Sequence, residues 1–142
     1  MRDPKSKLPG FLTGMNARIT PTQVIPGKDA MLTLTLNILP GYHIYANEPG
    51  DKFLTATTIT PKKQPGVLFG KISWPRPQRV NKAMVYEKSA TIRVPIRIEP
   101  GARPGNTVVA LEIHAQGCNE QDCYPPARFT VSAPLRIASK PK

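Results

Sequence analysis

The sequence has no apolar run near the roughly 18 residues that a membrane-spanning helix needs, so no stretch of it reads as a membrane span. Nor does it show a signal-peptide core, because residues 11–15 fall short of seven consecutive apolar positions. Aromatic residues are only 6% of the chain and do not alternate with the cations, which excludes a base-stacking platform. Acidic residues are also scarce, 9 against 20 Lys and Arg, for a net charge of +11. Arg2, Lys5, Lys7, Lys140 and Lys142 lie in the two tails, and only Lys71, Arg76, Arg79 and Lys82 crowd together. That spread reads as a solvated basic surface, with no nucleic-acid partner. Cysteine and histidine are scarce as well, with 2 of each in the chain.

Turn formers are abundant instead: 17 prolines and 10 glycines in 142 residues. Proline costs about 3 kcal/mol inside a helix, so this density excludes a helix bundle. No helical stripe and no internal repeat is present. The length suits one domain with one core, and 39% hydrophobic residues with a mean hydropathy of -0.30 fit a globular chain.

Residues 1–15 read as a flexible lead-in, residues 16–138 as the domain and residues 139–142 as a basic tail. Residues 17–25 form a weak strand broken by Pro21. Residues 31–39 form the clearest one, with Leu32, Leu34, Leu36 and Ile38 on one face. Further strands are expected at 42–46, 57–61, 67–74, 90–98, 107–115 and 128–137, with loops at 47–56 and 75–83. Pro95 lacks an N–H, which places 90–98 at a sheet edge or at a bulge. About eight strands with a turn every eight to twelve residues give an all-β fold, an immunoglobulin-like two-sheet β-sandwich.

Chemistry concentrates between His114 and Pro126, where Cys118 and Cys123 sit in a polar, glycine-opened loop after a strand. Three readings compete. As a structural staple the pair is poor, because closing a six-residue ring removes only roughly 2 kcal/mol of unfolded-state entropy. As a metal site, His114, Cys118 and Cys123 supply three ligands and His43 a fourth, but only one half of a zinc pattern is present. As an exchange site, a local pair on an exposed loop opens and closes without disturbing the core. Glu120 and Asp122 between the cysteines disfavour a thiolate, which suits a relay attacked by a stronger nucleophile better than an aggressive oxidant. His43 and Tyr45 share a face if 42–46 is extended, whereas Tyr42 and Tyr45 lie on opposite faces, so one tyrosine at most faces the cysteines. Trp74 before Pro75 reads as a core residue, and Pro125-Pro126 fixes the exit from the loop.

Gln116-Gly117-Cys118, a short spacer, and Cys123-Tyr124-Pro125-Pro126 resemble the active-site signature of the DsbD N-terminal domain family, bacterial thiol-disulfide interchange proteins. Gly41-Tyr42-His43-Ile44-Tyr45, the stretch 70–75, Tyr86 and the run 92–96 resemble other landmarks of that family in the same order, over roughly residues 17–137. The resemblance implies an immunoglobulin-like domain outside the cytoplasmic membrane, in the periplasm, that relays reductant through a reversible Cys118–Cys123 disulfide and needs no cofactor. Electrons would come from a thioredoxin-like domain fed by a membrane electron-transfer domain, in the same or another chain. They would pass to disulfide isomerases and cytochrome c maturation proteins. Cys123 would form the mixed disulfide and Cys118 would resolve it. His43, Tyr45, Gln116, Gly117, Tyr124 and Pro125 would flank the pair.

Two departures from the family pattern stand out. The best-known members have five residues between the cysteines, and this chain has four. Those members also close an aromatic cap over the disulfide. The corresponding residues 76–83 contain no aromatic, which leaves Val80 or Met84 as a substitute.

Overall fold

The computed structural model describes residues 8–139, and every regular element in it is a strand. The first six are β1 (Leu12–Thr20), β2 (Gln23–Val24), β3 (Asp29–Ile38), β4 (His43–Tyr45), β5 (Thr58–Pro61) and β6 (Val67–Phe69). The next six are β7 (Gln78–Val80), β8 (Ala83–Glu87), β9 (Ser89–Ile98), β10 (Gly105–Ala115), β11 (Gly117–Cys118) and β12 (Ala127–Ile137). They form two larger sheets, β1-β3-β9-β6 and β2-β12-β10-β5, and a smaller third, β11-β4-β8-β7. No helix among the described residues is long and apolar enough to cross a membrane.

Period-two alternation builds the core. Leu32, Leu34 and Leu36 of β3 and Ile92, Val94 and Ile96 of β9 face inward from one sheet. Val109, Leu111 and Ile113 of β10 and Phe129, Val131 and Leu135 of β12 face them from the other. All belong to one buried cluster, the core of an immunoglobulin-like sandwich. Burying each such side chain stabilises the fold by about 1.5–3 kcal/mol before chain entropy is counted. That interior fixes the register, since a slip of one residue would turn every apolar side chain outward.

The third sheet grows from one end of this sandwich. Strand β4 follows β3 beyond Ile38, and β11 follows β10 beyond Ala115. Strand β8 runs into β9 through Lys88, whose φ of 65° makes the tight link and whose carbonyl accepts the Ile38 N–H at 2.8 Å.

The structure departs from the sequence reading in four places. Strand β1 starts at Leu12 and Phe11 is buried, so residues 12–15 of the expected lead-in belong to the sheet and Phe11 to the core. Residues 1–7 and residues 140–142 of the expected basic tail lie outside the described residues. The expected strand 17–25 is two elements, β1 and β2, which break at Pro21 and pair with different sheets. The expected loop 75–83 contains β7 and the turn of a β7–β8 hairpin, where Asn81 takes φ 56°. Of the expected strand 67–74 only β6 and a bridge from Ser73 to Arg93 remain.

Strand β9 is also an inner strand rather than an edge. Pro95 is tolerated because its carbonyl, and so its donor-less nitrogen, faces the gap where β6 has ended and Ser73 has not yet paired. The Gly70 N–H fills that gap with a 2.8 Å bond to the Pro95 carbonyl.

Candidate functional site

Beyond Ala115 the chain turns at Gln116 into β11, where Gly117 pairs with Ile44 and Cys118 with His43. Only glycine fits at 117, because a Cβ there would clash with Cβ and Cγ of the buried Phe11. A tight hairpin follows. The Asn119 N–H donates to the Asp122 carbonyl at 2.8 Å, and the Tyr124 N–H to the Gly117 carbonyl at 2.9 Å. The Asn119 side-chain oxygen accepts the N–H groups of Gln121 and Asp122 at 2.8 and 2.6 Å, a local Asx arrangement. This hairpin holds the two cysteine Cα atoms 4.0 Å apart, and Cys118 and Cys123 are joined in a disulfide.

The two sulfurs differ in surroundings. Cys118 is 2% exposed, whereas Cys123 is open to solvent. The Tyr45 hydroxyl donates to Cys118 Sγ at 3.5 Å. His43 stands beside it, the two rings edge to face at 5.6 Å. Burial pushes the His43 imidazole below its ordinary range, and Glu87, its neighbour across β4–β8, partly opposes that. On the Cys123 side the Tyr124 ring sits between Phe11 and Tyr42, with centroids at 5.9 and 5.6 Å. The Gln116 amide donates to the Tyr124 carbonyl at 3.0 Å and ties the two ends of the hairpin together.

An open cleft of about 900 Å³ lies over the disulfide. Tyr42, His43 and Tyr45 form one wall, and residues 118–123 form another. Asp51 and Leu54 from the 47–57 loop and the β7–β8 turn around Asn81 complete it. Four of the chain's nine acids, Asp51, Glu87, Glu120 and Asp122, line this cleft, and among the described residues Lys82 is the one Lys or Arg beside them.

Of the residues singled out in the sequence, Cys118, Cys123, His43 and Tyr45 meet in the cleft. Gln116, Gly117 and Tyr124 buttress the cysteine hairpin, and Pro125 stands exposed just past it. Simple alternation undercounts the tyrosines. Tyr42 precedes β4, in the turn closed by its N–H on the Leu39 carbonyl, so it reaches the Cys123 side while Tyr45 reaches Cys118. Val80 lines the cleft, whereas Met84 does not. His114 lies on the outer face of its sheet between Thr58 and Arg128, and no group of three or more His, Cys, Asp or Glu is placed so that it could hold a metal ion among the described residues. Trp74 packs against the core and stacks on Tyr86 at 6.4 Å. Asp51, Leu54 and Glu87 escaped the sequence reading. Glu87 would have followed from recognising β8, opposite His43, while the 47–57 loop carries no periodic signal.

An immunoglobulin-like sandwich with a disulfide in a short hairpin, one sulfur buried and one exposed at the mouth of a cleft, defines a disulfide-bearing domain of the thiol-exchange type. The family of N-terminal domains of the thiol:disulfide interchange protein DsbD matches residues 11–134, and the chain belongs to that family. Among solved structures, the N-terminal periplasmic domain of ScsB from Proteus mirabilis is similar in fold at 14% identity and a TM-score of 0.56, over 83% of this chain and 43% of that one. This chain thus spans less than half the length of that structure. The DsbD N-terminal domain of Neisseria meningitidis in its reduced form matches at 19% identity and a TM-score of 0.45, over 75% of this chain and 81% of that one. No curated protein matches the chain in sequence.

Proposed function

We propose that this domain is a protein-disulfide reductase component that relays reducing equivalents, outside the cytoplasm, through reversible closure of Cys118 and Cys123. The observation that carries this is the unequal exposure of the two sulfurs, Cys118 buried and Cys123 open to the cleft. In the reduced domain the Cys123 thiolate attacks a partner disulfide and expels one partner sulfur as a thiolate. The Cys118 thiolate then attacks Cys123 Sγ from within the hairpin. The partner's second sulfur leaves, two electrons pass to the partner, and the Cys118–Cys123 disulfide forms. Recharging runs the other way: a donor thiolate attacks Cys123 Sγ, and Cys118 leaves as a thiolate that the Tyr45 hydroxyl stabilises by donating to it.

Thioredoxin-like proteins or domains, as donor and acceptors, fit this scheme because they present one nucleophilic cysteine to an exposed disulfide sulfur. A membrane electron-transfer domain would supply the donor. An extracytoplasmic setting agrees with the Cys118–Cys123 pairing, with the family, and with the periplasmic description of the ScsB domain. Cytochrome c maturation proteins and disulfide isomerases are the acceptor classes this reading names.

A trapping experiment tests it. Cys118→Ala should accumulate a mixed disulfide through Cys123 with a thioredoxin-like protein, and Cys123→Ala should accumulate none. Trapping through Cys118 alone would reverse the assigned roles. A reduction potential well below about −300 mV in glutathione or dithiothreitol buffers would return the pair to a structural staple.

A further inference from the structure

Four large hydrophobic residues are strongly exposed among the described residues: Ile25, Leu68, Val108 and Phe53. Ile25 lies beside Ile98, Leu68 pairs with Arg97 and Val108 with Pro134, all toward the end of the sandwich away from the disulfide. Phe53 alone of the four stands at the cleft end, and at 84% it is the most exposed of them. Its neighbours on both sides, Asp51 and Leu54, line the cleft that holds the cysteines.

The loop presenting it is built rather than loose. The Asp51 carboxylate accepts the Phe53 N–H at 2.9 Å, and the Asp51 carbonyl accepts the Leu54 N–H at 3.1 Å. The Pro49 carbonyl accepts the Met84 N–H at 3.0 Å, which fastens the loop to β8. At its far end the Asn47 amide donates to the Thr57 carbonyl at 3.1 Å, and the Thr57 hydroxyl donates to the Tyr45 carbonyl. The Lys52 ammonium lies 5.3 Å from the Phe53 ring centroid and covers part of one face. The anchored turn thus holds a phenyl ring in water, on a loop whose Asp51 and Leu54 line the cleft of the cysteines.

Resting on the relay reading above, we infer that Phe53 is the docking aromatic for the protein partner, received by the apolar surface around the reactive cysteine of a thioredoxin-like protein. A thiolate that reaches Cys123 Sγ through this cleft brings its protein surround to the loop that carries Phe53. The carboxylates of Asp51, Glu120 and Asp122 on the same rim repel an acidic occupant and favour an apolar or basic one. The aromatic contact missing from residues 76–83 is thus supplied by a different loop, and it faces the partner instead of covering the disulfide.

The test is the rate constant for reduction of the oxidised domain by reduced bacterial thioredoxin, divided by that for dithiothreitol. Phe53→Ser should lower this ratio about tenfold or more, as expected for an aromatic ring buried only in the protein complex. Leu68→Ser, an exposed apolar residue remote from the cleft, should keep the wild-type ratio. An unchanged ratio in Phe53→Ser overturns the inference while leaving the relay intact. A fall in the ratio caused by faster dithiothreitol reduction alone also overturns it, because Phe53 would then be a shield. If the wild type reacts with dithiothreitol but not with thioredoxin, the relay reading fails and this inference with it.

Discussion

The two sulfurs of the disulfide differ in what surrounds them. Cys118 sits against β4 with the Tyr45 hydroxyl as its donor, while Cys123 looks into the cleft. On the relay proposed above, an incoming thiolate would meet Cys123 first, and the leaving charge would appear on the sulfur that already has a hydrogen-bond donor. Burial disfavours the charged form of the His43 ring. The folded-state value lies below the unfolded 6.5, so on acidification the unfolded chain takes up the proton first. Stability should consequently be unaffected by His43 well above pH 6.5 and fall as pH drops through the window beneath it. Urea midpoints measured from pH 7.5 to about 5 should decline more steeply for wild type than for His43→Gln. Equal slopes would show that His43 titrates alike in both states.

Among the elements, the cysteine hairpin holds most of its geometry within its own six residues. Asn119 does much of this by accepting two backbone N–H groups across the turn. Asn119→Ala removes that acceptor, worth about 1 kcal/mol of hairpin order, and should raise the reduction potential of the pair by up to about 20 mV. An unchanged potential would assign the hairpin's geometry to β4 and β11 alone. This hairpin was legible in the sequence because its cues are local: Gly117, the Cys spacing, the polar spacer and Pro125-Pro126. The long strands β3, β9, β10 and β12 were legible for the same reason, since each repeats an apolar residue every second position. Strand β8 was hidden because Val85 and Tyr86, adjacent in sequence, are both buried, which breaks the period of two. The first half of strand β1 was hidden, and its second half read only as a weak strand, because just Leu12 and Ile19 are deeply buried and a bulge separates Leu12 from Gly14. The cleft's opposite wall, Asp51, Leu54 and Asn81, comes from loop and turn residues whose meeting with the cysteines is a tertiary fact with no sequence period.

At the level of the whole molecule, the core and the reactive pair occupy separate places. The buried cluster spans the two large sheets, whereas the disulfide closes a ring at the edge of the small one. A six-residue ring contributes roughly 2 kcal/mol through the unfolded state, a modest share of the 5–15 kcal/mol typical of a domain. The reduced protein should therefore stay folded and unfold cooperatively in urea, about 2 kcal/mol less stable than the oxidised form. Loss of the cooperative transition on reduction would mean that the hairpin holds the sandwich together, contrary to the relay. The charge is unevenly spread, since four of the nine acids line the cleft of a chain whose net charge is +11.

Trp74 is the chain's single tryptophan. It follows Ser73, which bridges to β9 of the large sheet, and its indole lies parallel to the Tyr86 ring on β8 of the small one. Light absorbed by that indole alone is thus emitted from the seam between scaffold and reactive sheet. Its emission maximum follows the hydration of the seam while the two cysteines open and close, without any attached label.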